Sequence, residues 1–183
     1  AFYPGRSMIA REKNIKSDAG KAAHDYFKKR KLTDKTIKEF RLGYAPSGNV
    51  LLKKLVAEGY NKKDLVNAGI AKVKDGHLVD QFRNRVTFPI INTGGRVVGF
   101  SARVLGDGLP KYINTASTDI YDKSGILYGI YQAKESMRKQ NHTIVVEGNM
   151  DVIASHQVGV KNVVASSGTA LTERQLDILK KFS

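Results

Sequence analysis

The sequence predicts a chain of mixed α+β and α/β character: a small helical region, a basic β-rich region, then the first βαβα of a parallel, Rossmann-like sheet. Three observations carry that expectation. Apolar residues recur at helical spacing between residues 19 and 70. From Ile70 onward the pattern shifts to short β-branched runs separated by Asp-Gly and Gly-Gly turns. Beyond residue 142, the runs Thr143–Val146 and Val160–Ala165 each lead into a helical pattern, which is the element order of a βαβ unit with parallel strands. The expected division is a loose arm at 1–19, a basic subdomain at 20–130 (helical over 20–70, β-rich over 71–127) and a final domain at 131–183.

Each element has its own reason. Tyr3-Pro4-Gly5-Arg6 reads as a turn and Arg11–Lys16 has little periodicity, so residues 1–19 read as an arm that packs late or turns helical. Ala22, Ala23, Tyr26 and Phe27 mark a helix over 19–31. Thr33 is placed to cap the next helix, with Thr36, Ile37 and Phe40 facing inward. Arg41–Gly48 reads as the end of that helix and a turn. Helices over 51–58 and 62–67 follow, the first stopped by Gly59. Ala71–Lys74 and His77–Val79 flank Asp75-Gly76, a type I′ hairpin signal. Val86–Ile91 and Arg96–Leu105 read as strands. Pro89 predicts an edge or a strand end. Ser117-Thr118-Asp119 reads as a helix start or a turn, and 128–140 as a helix entering a buried strand at Thr143–Val146. A two-stranded parallel sheet is marginal alone. The pair is therefore expected both to join the strands at 86–105 and to continue into further chain.

Composition narrows the function classes. The 183 residues are 41% hydrophobic and 26% charged, the range of a soluble globular chain with one large or two small domains. No run approaches the ~20 apolar residues that cross a bilayer, and the basic start lacks the apolar stretch of a secretory signal. Cysteine is absent, which excludes disulfides and thiolate zinc sites in these residues. Lys plus Arg number 31 against 17 Asp plus Glu, a net charge of +14. The excess falls from +8 over residues 1–60 to +4 over 61–130 and +2 over 131–183. Such a balance points to a polyanionic partner, nucleic acid first. Taken alone, the cluster Lys28-Lys29-Arg30-Lys31 is an ordinary solvated face.

Two groups of residues could carry chemistry. Glu147 follows the first strand of the βαβ unit, at the end where open α/β sheets place ligands. An acid there can simply face a helix N-terminus. Asp151 already fills that post, and Gly148 signals a tight turn or a close approach. Ser166–Thr169, with Gly168 and Thr169, lies at the end of the second strand. The other group is Arg83, Arg85, Arg103, Lys111, Tyr112, Asn114 and Lys123. Cations neutralise phosphates, a Tyr ring stacks on a base or sugar, and Asn hydrogen-bonds either. Singly, each is an ordinary surface residue or turn-former.

The stretches Val145-Val146-Glu147-Gly148-Asn149-Met150-Asp151-Val152-Ile153 and Asn162–Thr172 resemble the first half of a Toprim domain, more narrowly that of bacterial DnaG-type DNA primases. Gln81–Ile90 resembles that family's RFRxRxxFPI segment, and Gly95–Gly106 its GRVxGFxGRxL. Leu42–Pro46, Pro110–Asn114 and Leu127–Gly129 continue the likeness in order, so it spans roughly residues 20–183. Asn149 stands where the family has an aromatic residue, Ser167 where it has Leu or Met, and Ala102 where it has Gly.

The resemblance implies a fragment of an enzyme that makes short RNA primers on single-stranded DNA by nucleotidyl transfer, with Mg2+ or Mn2+. Glu147 would be the catalytic glutamate, as a metal ligand or as the base toward the 3′-hydroxyl. Gly148, Asp151, Gly168 and Thr169 would shape its turn and loop. Arg83, Arg85, Arg103, Lys111 and Lys123 would line the groove for template and nucleotide. Implied partners are single-stranded DNA, RNA primer and ribonucleoside triphosphates, with the replicative helicase and single-strand-binding protein reached through domains absent here. The implied setting is the cytoplasmic replication fork. Further metal-binding acids of the family fall after residue 183, so the fragment itself is expected to bind nucleic acid but to be inactive, and to hold no zinc. Two alternatives stand beside this: a Toprim nuclease or topoisomerase-like fragment, and a single-stranded nucleic-acid-binding module without chemistry.

Overall fold

The computed structural model describes residues 5–166 and 170–182. The chain divides into two compact units, Ala1–Pro89 with Val97–Tyr121, and Ile90–Arg96 with Asp122–Ser183.

The first unit begins with a helix, the second of the two outcomes expected of the arm at residues 1–19. Helix α1 (Gly5–Ile15) buries Met8 and Ile15 and packs on strand β1 (Gly43–Ala45). A Cβ on Gly43 would lie 2.8 Å from the Arg11 backbone, so glycine is what allows this approach. The helical pattern is weak in sequence because part of the inward face is polar. Ser7 and Arg11 are both buried, and Arg11 Nε donates to Ser7 Oγ at 3.1 Å. The Arg11 guanidinium lies 5.1 and 4.9 Å from the ring centres of Phe82 and Phe100. Helices α2 (Lys21–Lys29), α3 (Asp34–Glu39), α4 (Val50–Ala57) and α5 (Lys62–Asn67) follow the predicted spacing. Thr33 caps α3 by accepting from Thr36 N at 3.1 Å. In the hairpin of β2 (Ala71–Lys74) and β3 (His77–Asp80), Asp75 and Gly76 both have positive φ, the type I′ geometry.

The unit's main sheet runs β1-β4-β5-β6, with β4 (Arg85–Ile91), β5 (Val97–Val104) and β6 (Tyr112–Asn114). Two expectations are corrected here. The segment read as a turn at Arg41–Gly48 contains β1, a strand too short to show a period of two. Pro89 sits in an interior strand rather than on an edge. It is tolerated because β1 pairs only with Arg85–Thr87 and ends before it. The segment Ser117–Asp119 is a turn, closed by a Thr118–Tyr121 bridge. Every residue of β4 is buried. Phe27 meets Phe88 edge-on at 6.0 Å, and Phe82 meets Phe100 at 6.2 Å. Fully burying each such ring contributes about 1.5–3 kcal/mol.

The second unit holds a 3-10 turn (Lys123–Gly125), α6 (Ile130–Gln140), β7 (Ile144–Val146), α7 (Asn149–Gln157), β8 (Val163–Ala165) and α8 (Glu173–Leu179). Its core is Leu127, Ile130, Ala133, Met137, Val164 and Leu179. Strands β7 and β8 are parallel, Ile144 opposite Val163 and Val146 opposite Ala165. They form a separate two-stranded sheet rather than joining the strands at 86–105. Strand β7, expected to be buried, leaves Ile144 and Val145 41% and 39% exposed. The cause is placement: α6 and α7 pack on β8, and Tyr128 pairs with Ala165 at its other edge, so β8 is covered and β7 is the outer strand. Among the described residues, no helix is long and apolar enough to cross a membrane.

Candidate nucleic-acid interface and acidic turn

In the first unit, the antiparallel pairing of β5 and β6 sets Arg103 opposite Tyr112 and Ser101 opposite Asn114. The Arg103 guanidinium lies 5.9 Å from the Tyr112 ring centre and 4.8 Å from that of Tyr26 on α2. Tyr112 is 44% exposed, so one cation and one stackable ring stand side by side on the sheet edge. Burial, then the neighbouring Tyr26 phenol, pushes the Tyr112 hydroxyl above its usual range, so it stays a neutral donor near neutral pH. Lys111 is exposed beside it, and Asn114 and Arg83 are half-buried.

Arg85 has a different setting from the one expected of a groove cation. It is buried, donating from Nη2 to Pro110 O at 2.9 Å and from Nη1 to Lys111 O at 3.3 Å. Burial also pushes its guanidinium below its usual value. Its fork therefore pins the backbone that carries Lys111 and Tyr112, a contact that sequence spacing cannot show. A lysine keeps the charge but not the fork. Arg85→Lys is expected to cost about 1–3 kcal/mol in a denaturant melt, because a buried charged group loses its two-pronged hydrogen bonding to Pro110 O and Lys111 O. Arg83→Lys is expected to stay within about 0.5 kcal/mol. Equal, small losses in both variants would defeat the pinning role.

Tyr26 and Arg30 were missed by sequence reasoning, which placed Tyr26 on an inward helix face and Arg30 in a solvated cluster. The spacing of four between them, a ring and a cation on one helix side, was the available signal.

In the second unit, Lys123 lies in the 3-10 turn, held by the start of α8. Thr172 Oγ1 donates to Ser124 O at 2.6 Å, and the buried Gln175 amide donates to Ile126 O at 2.8 Å and Lys123 O at 3.4 Å. Thr172 and Gln175 also form the capping box of α8. Arg174 pairs with Asp122 at the same place. No capping role for Thr172 or Gln175 figured in the sequence reading, although Thr-x-x-Gln is a capping-box pattern.

Glu147 is exposed in the turn that leaves β7, and Gly148 is the N-cap of α7. The close approach signalled by Gly148 is internal. A Cβ there would lie 2.8 Å from Asp151 Oδ2, and Asp151 N donates to Gly148 O at 3.2 Å. Asp151 itself is exposed in the first turn of α7, its carboxylate close over Gly148. Gly168 and Thr169 lie outside the described residues. Among the described residues, no group of three or more His, Asp or Glu could hold a metal ion. The carboxylates described here therefore do not fit a complete divalent-metal site.

Comparison with known proteins shows the family of the chain. The family described as DNA primase catalytic core, N-terminal domain, matches residues 10–134, and a Toprim-like family matches residues 144–183. The DNA primase of Rickettsia bellii is 45% identical over 153 residues, which is 83% of this chain and 26% of that protein. The DNA primase of Pseudomonas putida is 45% identical over 159 residues, 85% of this chain and 24% of that protein. The chain thus spans about a quarter of these curated relatives. Among solved structures, the RNA polymerase domain of Mycobacterium tuberculosis primase DnaG superposes with a TM-score of 0.93 at 34% identity, covering 97% of this chain and 59% of that one. A DnaG primase catalytic domain bound to single-stranded DNA gives 0.90 at 37% identity, covering 97% and 58%. The chain belongs to the DNA primase catalytic-core family, carrying its N-terminal domain and continuing at residue 144 into a Toprim-like domain.

Proposed function

We propose that this chain is the template- and nucleotide-binding part of a DNA primase, an enzyme that makes short RNA primers on single-stranded DNA. The observation that supports this most directly is the cross-strand pair Arg103–Tyr112, a cation and a half-exposed ring on one sheet edge with Lys111 adjacent. In the first unit, phosphates of a single strand would be held by Arg83, Arg103 and Lys111, while Tyr112 offers a stacking face and Asn114 a hydrogen bond; in the second unit, Lys123 would be a separate phosphate contact. Arg85 positions this surface from within. Glu147 is the catalytic carboxylate, in the turn that carries Gly148 and Asp151. Mg2+ or Mn2+ would supply charge stabilisation for the transfer and would need carboxylates beyond those described here. The primer and the ribonucleoside triphosphates share the same surface. Contacts with a helicase and a single-strand-binding protein would belong to other domains of a longer primase, working at the replication fork.

Titration of the chain with labelled single-stranded DNA at two salt concentrations tests this. Binding is expected, with log K falling by about 0.7 per phosphate neutralised for each tenfold rise in salt. Absence of binding at low salt would remove the nucleic-acid reading.

A further inference from the structure

Ile9, Lys13 and Lys16 follow the spacing of four and three that stacks side chains along one side of a helix, here α1 and its last turn. They form one wall of an open groove of about 570 Å³ within the first unit, completed by residues of α2 and α3. That volume is in the range of about 300–1,000 Å³ typical of binding clefts. The groove is aliphatic at its base. Ile15, Ile37 and Leu42 line it and are buried, and Ile9 on the wall is 49% exposed. The acids in the lining are already matched. Glu12 accepts from Arg41 Nε at 3.0 Å, and Asp34 pairs with Lys28 at 2.9 Å and with His24 at 3.0 Å. Lys13, Lys16 and Lys38 are exposed, and no described ion pair engages them. The uncompensated charge around the aliphatic base is therefore positive.

We propose that this groove docks an acidic peptide segment of another protein, one with aliphatic side chains set among aspartates or glutamates. An apolar centre inside a charged rim is the anatomy of a protein interface. The peptide's aliphatic groups would cover Ile9 and the base, and its carboxylates would meet Lys13, Lys16 and Lys38. Nucleic acid fits this surface less well. The lining holds no arginine and no phenyl or phenol ring, the groups that grip a phosphate in a fork or stack on a base. The groove is also distinct from the Arg103–Tyr112 edge. His24 lines the groove and Tyr26 meets Arg103, and two residues on a helix stand about 200° apart, so the two surfaces use opposite sides of α2. The inference does not rest on the nucleic-acid reading above.

Fluorescence anisotropy with a labelled peptide of about ten residues, built from Asp and Leu, tests this. Two companion peptides replace every Leu with Ser or every Asp with Lys, and each should bind at least about tenfold more weakly. Lys16→Gln with Lys38→Gln should weaken binding of the Asp–Leu peptide about two- to thirtyfold, the worth of two exposed ion pairs. Ile9→Ser should weaken it about three- to twelvefold, because half an isoleucine is no longer covered. The charge-matched control Lys62→Gln with Lys63→Gln, at the exposed start of α5, should bind as the unaltered chain does. Thermal melting checks that each variant stays folded; should Ile9→Ser unfold, the Lys16/Lys38 variant decides alone. No peptide binding by the unaltered chain, or equal binding of the Ser and Leu peptides, would overturn the inference. So would unchanged binding in the Lys16/Lys38 variant, or an equal loss in the Lys62/Lys63 control, which would show diffuse attraction. Single-stranded DNA affinity that falls in the Lys16/Lys38 variant, with no peptide bound, would assign the groove to nucleic acid instead. The nucleic-acid reading is judged separately, by the DNA titration of the unaltered chain.

Discussion

Replacing Asp80 with alanine is expected to cost the first unit at least about 2 kcal/mol, because two buried backbone N–H groups lose a charged acceptor at about 1–3 kcal/mol each. Asp80 ends β3 and is 2% exposed. Its two carboxylate oxygens accept from Leu52 N at 2.7 Å and Leu51 N at 3.0 Å, at the start of α4. In return, Asp80 N donates to Asn49 Oδ1 at 3.0 Å, so the hairpin and the helix are tied in both directions. Burial pushes the Asp80 carboxyl above its ordinary 3.8, against the pull of the two amides, Arg11 and Arg83. Burial likewise pushes the Arg11 guanidinium down to about 10, and Asp80 is the charge that opposes this. Alanine would uncap α4 and remove the counter-charge from a buried guanidinium at the same time. Asn keeps an acceptor for one amide and should fall between alanine and the unaltered chain. The measurement is a denaturant melt, paired with hydrogen exchange at the Leu51 and Leu52 amides. A loss below about 1 kcal/mol would mean that Arg11 and the helix start find other partners.

This same network shows where sequence stops being informative. Elements with local signals were legible nearly to the residue. The α5 helix and the β2–β3 hairpin follow from apolar spacing and from Asp75-Gly76, and α3 from its Thr33 cap. The helix α1 was legible only as one of two alternatives, because buried Ser7 and Arg11 look like surface residues until Phe82 and Phe100 are folded over them. The exposure of β7 depends on α6 and α7 choosing β8, a tertiary outcome that its β-branched residues do not encode. At the candidate site, residue type was readable and setting was not. Arg103 and Tyr112 carry the expected chemistry because two strands in register bring them together. Arg85 has the same residue type, yet its place under a chain reversal turns it inward. Tyr26 and Arg30 join the surface from about 75 residues earlier in the chain, a long-range contact that their local spacing of four does not reveal.

Glu147→Gln is expected to leave fold and DNA binding intact while abolishing most turnover in a full-length primase carrying this segment. Because Glu147 is exposed, the exchange should change stability by no more than about 0.5 kcal/mol. The amide is nearly isosteric, so the turn made by Gly148 and Asp151 is kept. What is lost is a negative charge and a proton acceptor at the C-terminal end of β7, the position where open α/β sheets expose functional groups. Removing a positioned general base lowers a rate by roughly 10²–10⁴-fold. Asp151→Asn is the informative companion, since it removes the acid that complements the N-terminus of α7 rather than the presented carboxylate. It should lower stability and turnover together, and Glu147→Gln should lower turnover alone. Primer synthesis and single-stranded DNA affinity, measured side by side, separate the possible roles. Turnover unchanged in Glu147→Gln would reduce Glu147 to a turn residue and leave this chain as a binding surface without chemistry. Turnover lost in step with DNA affinity would make it a template-positioning group. Only turnover lost at constant affinity supports Glu147 as the catalytic carboxylate.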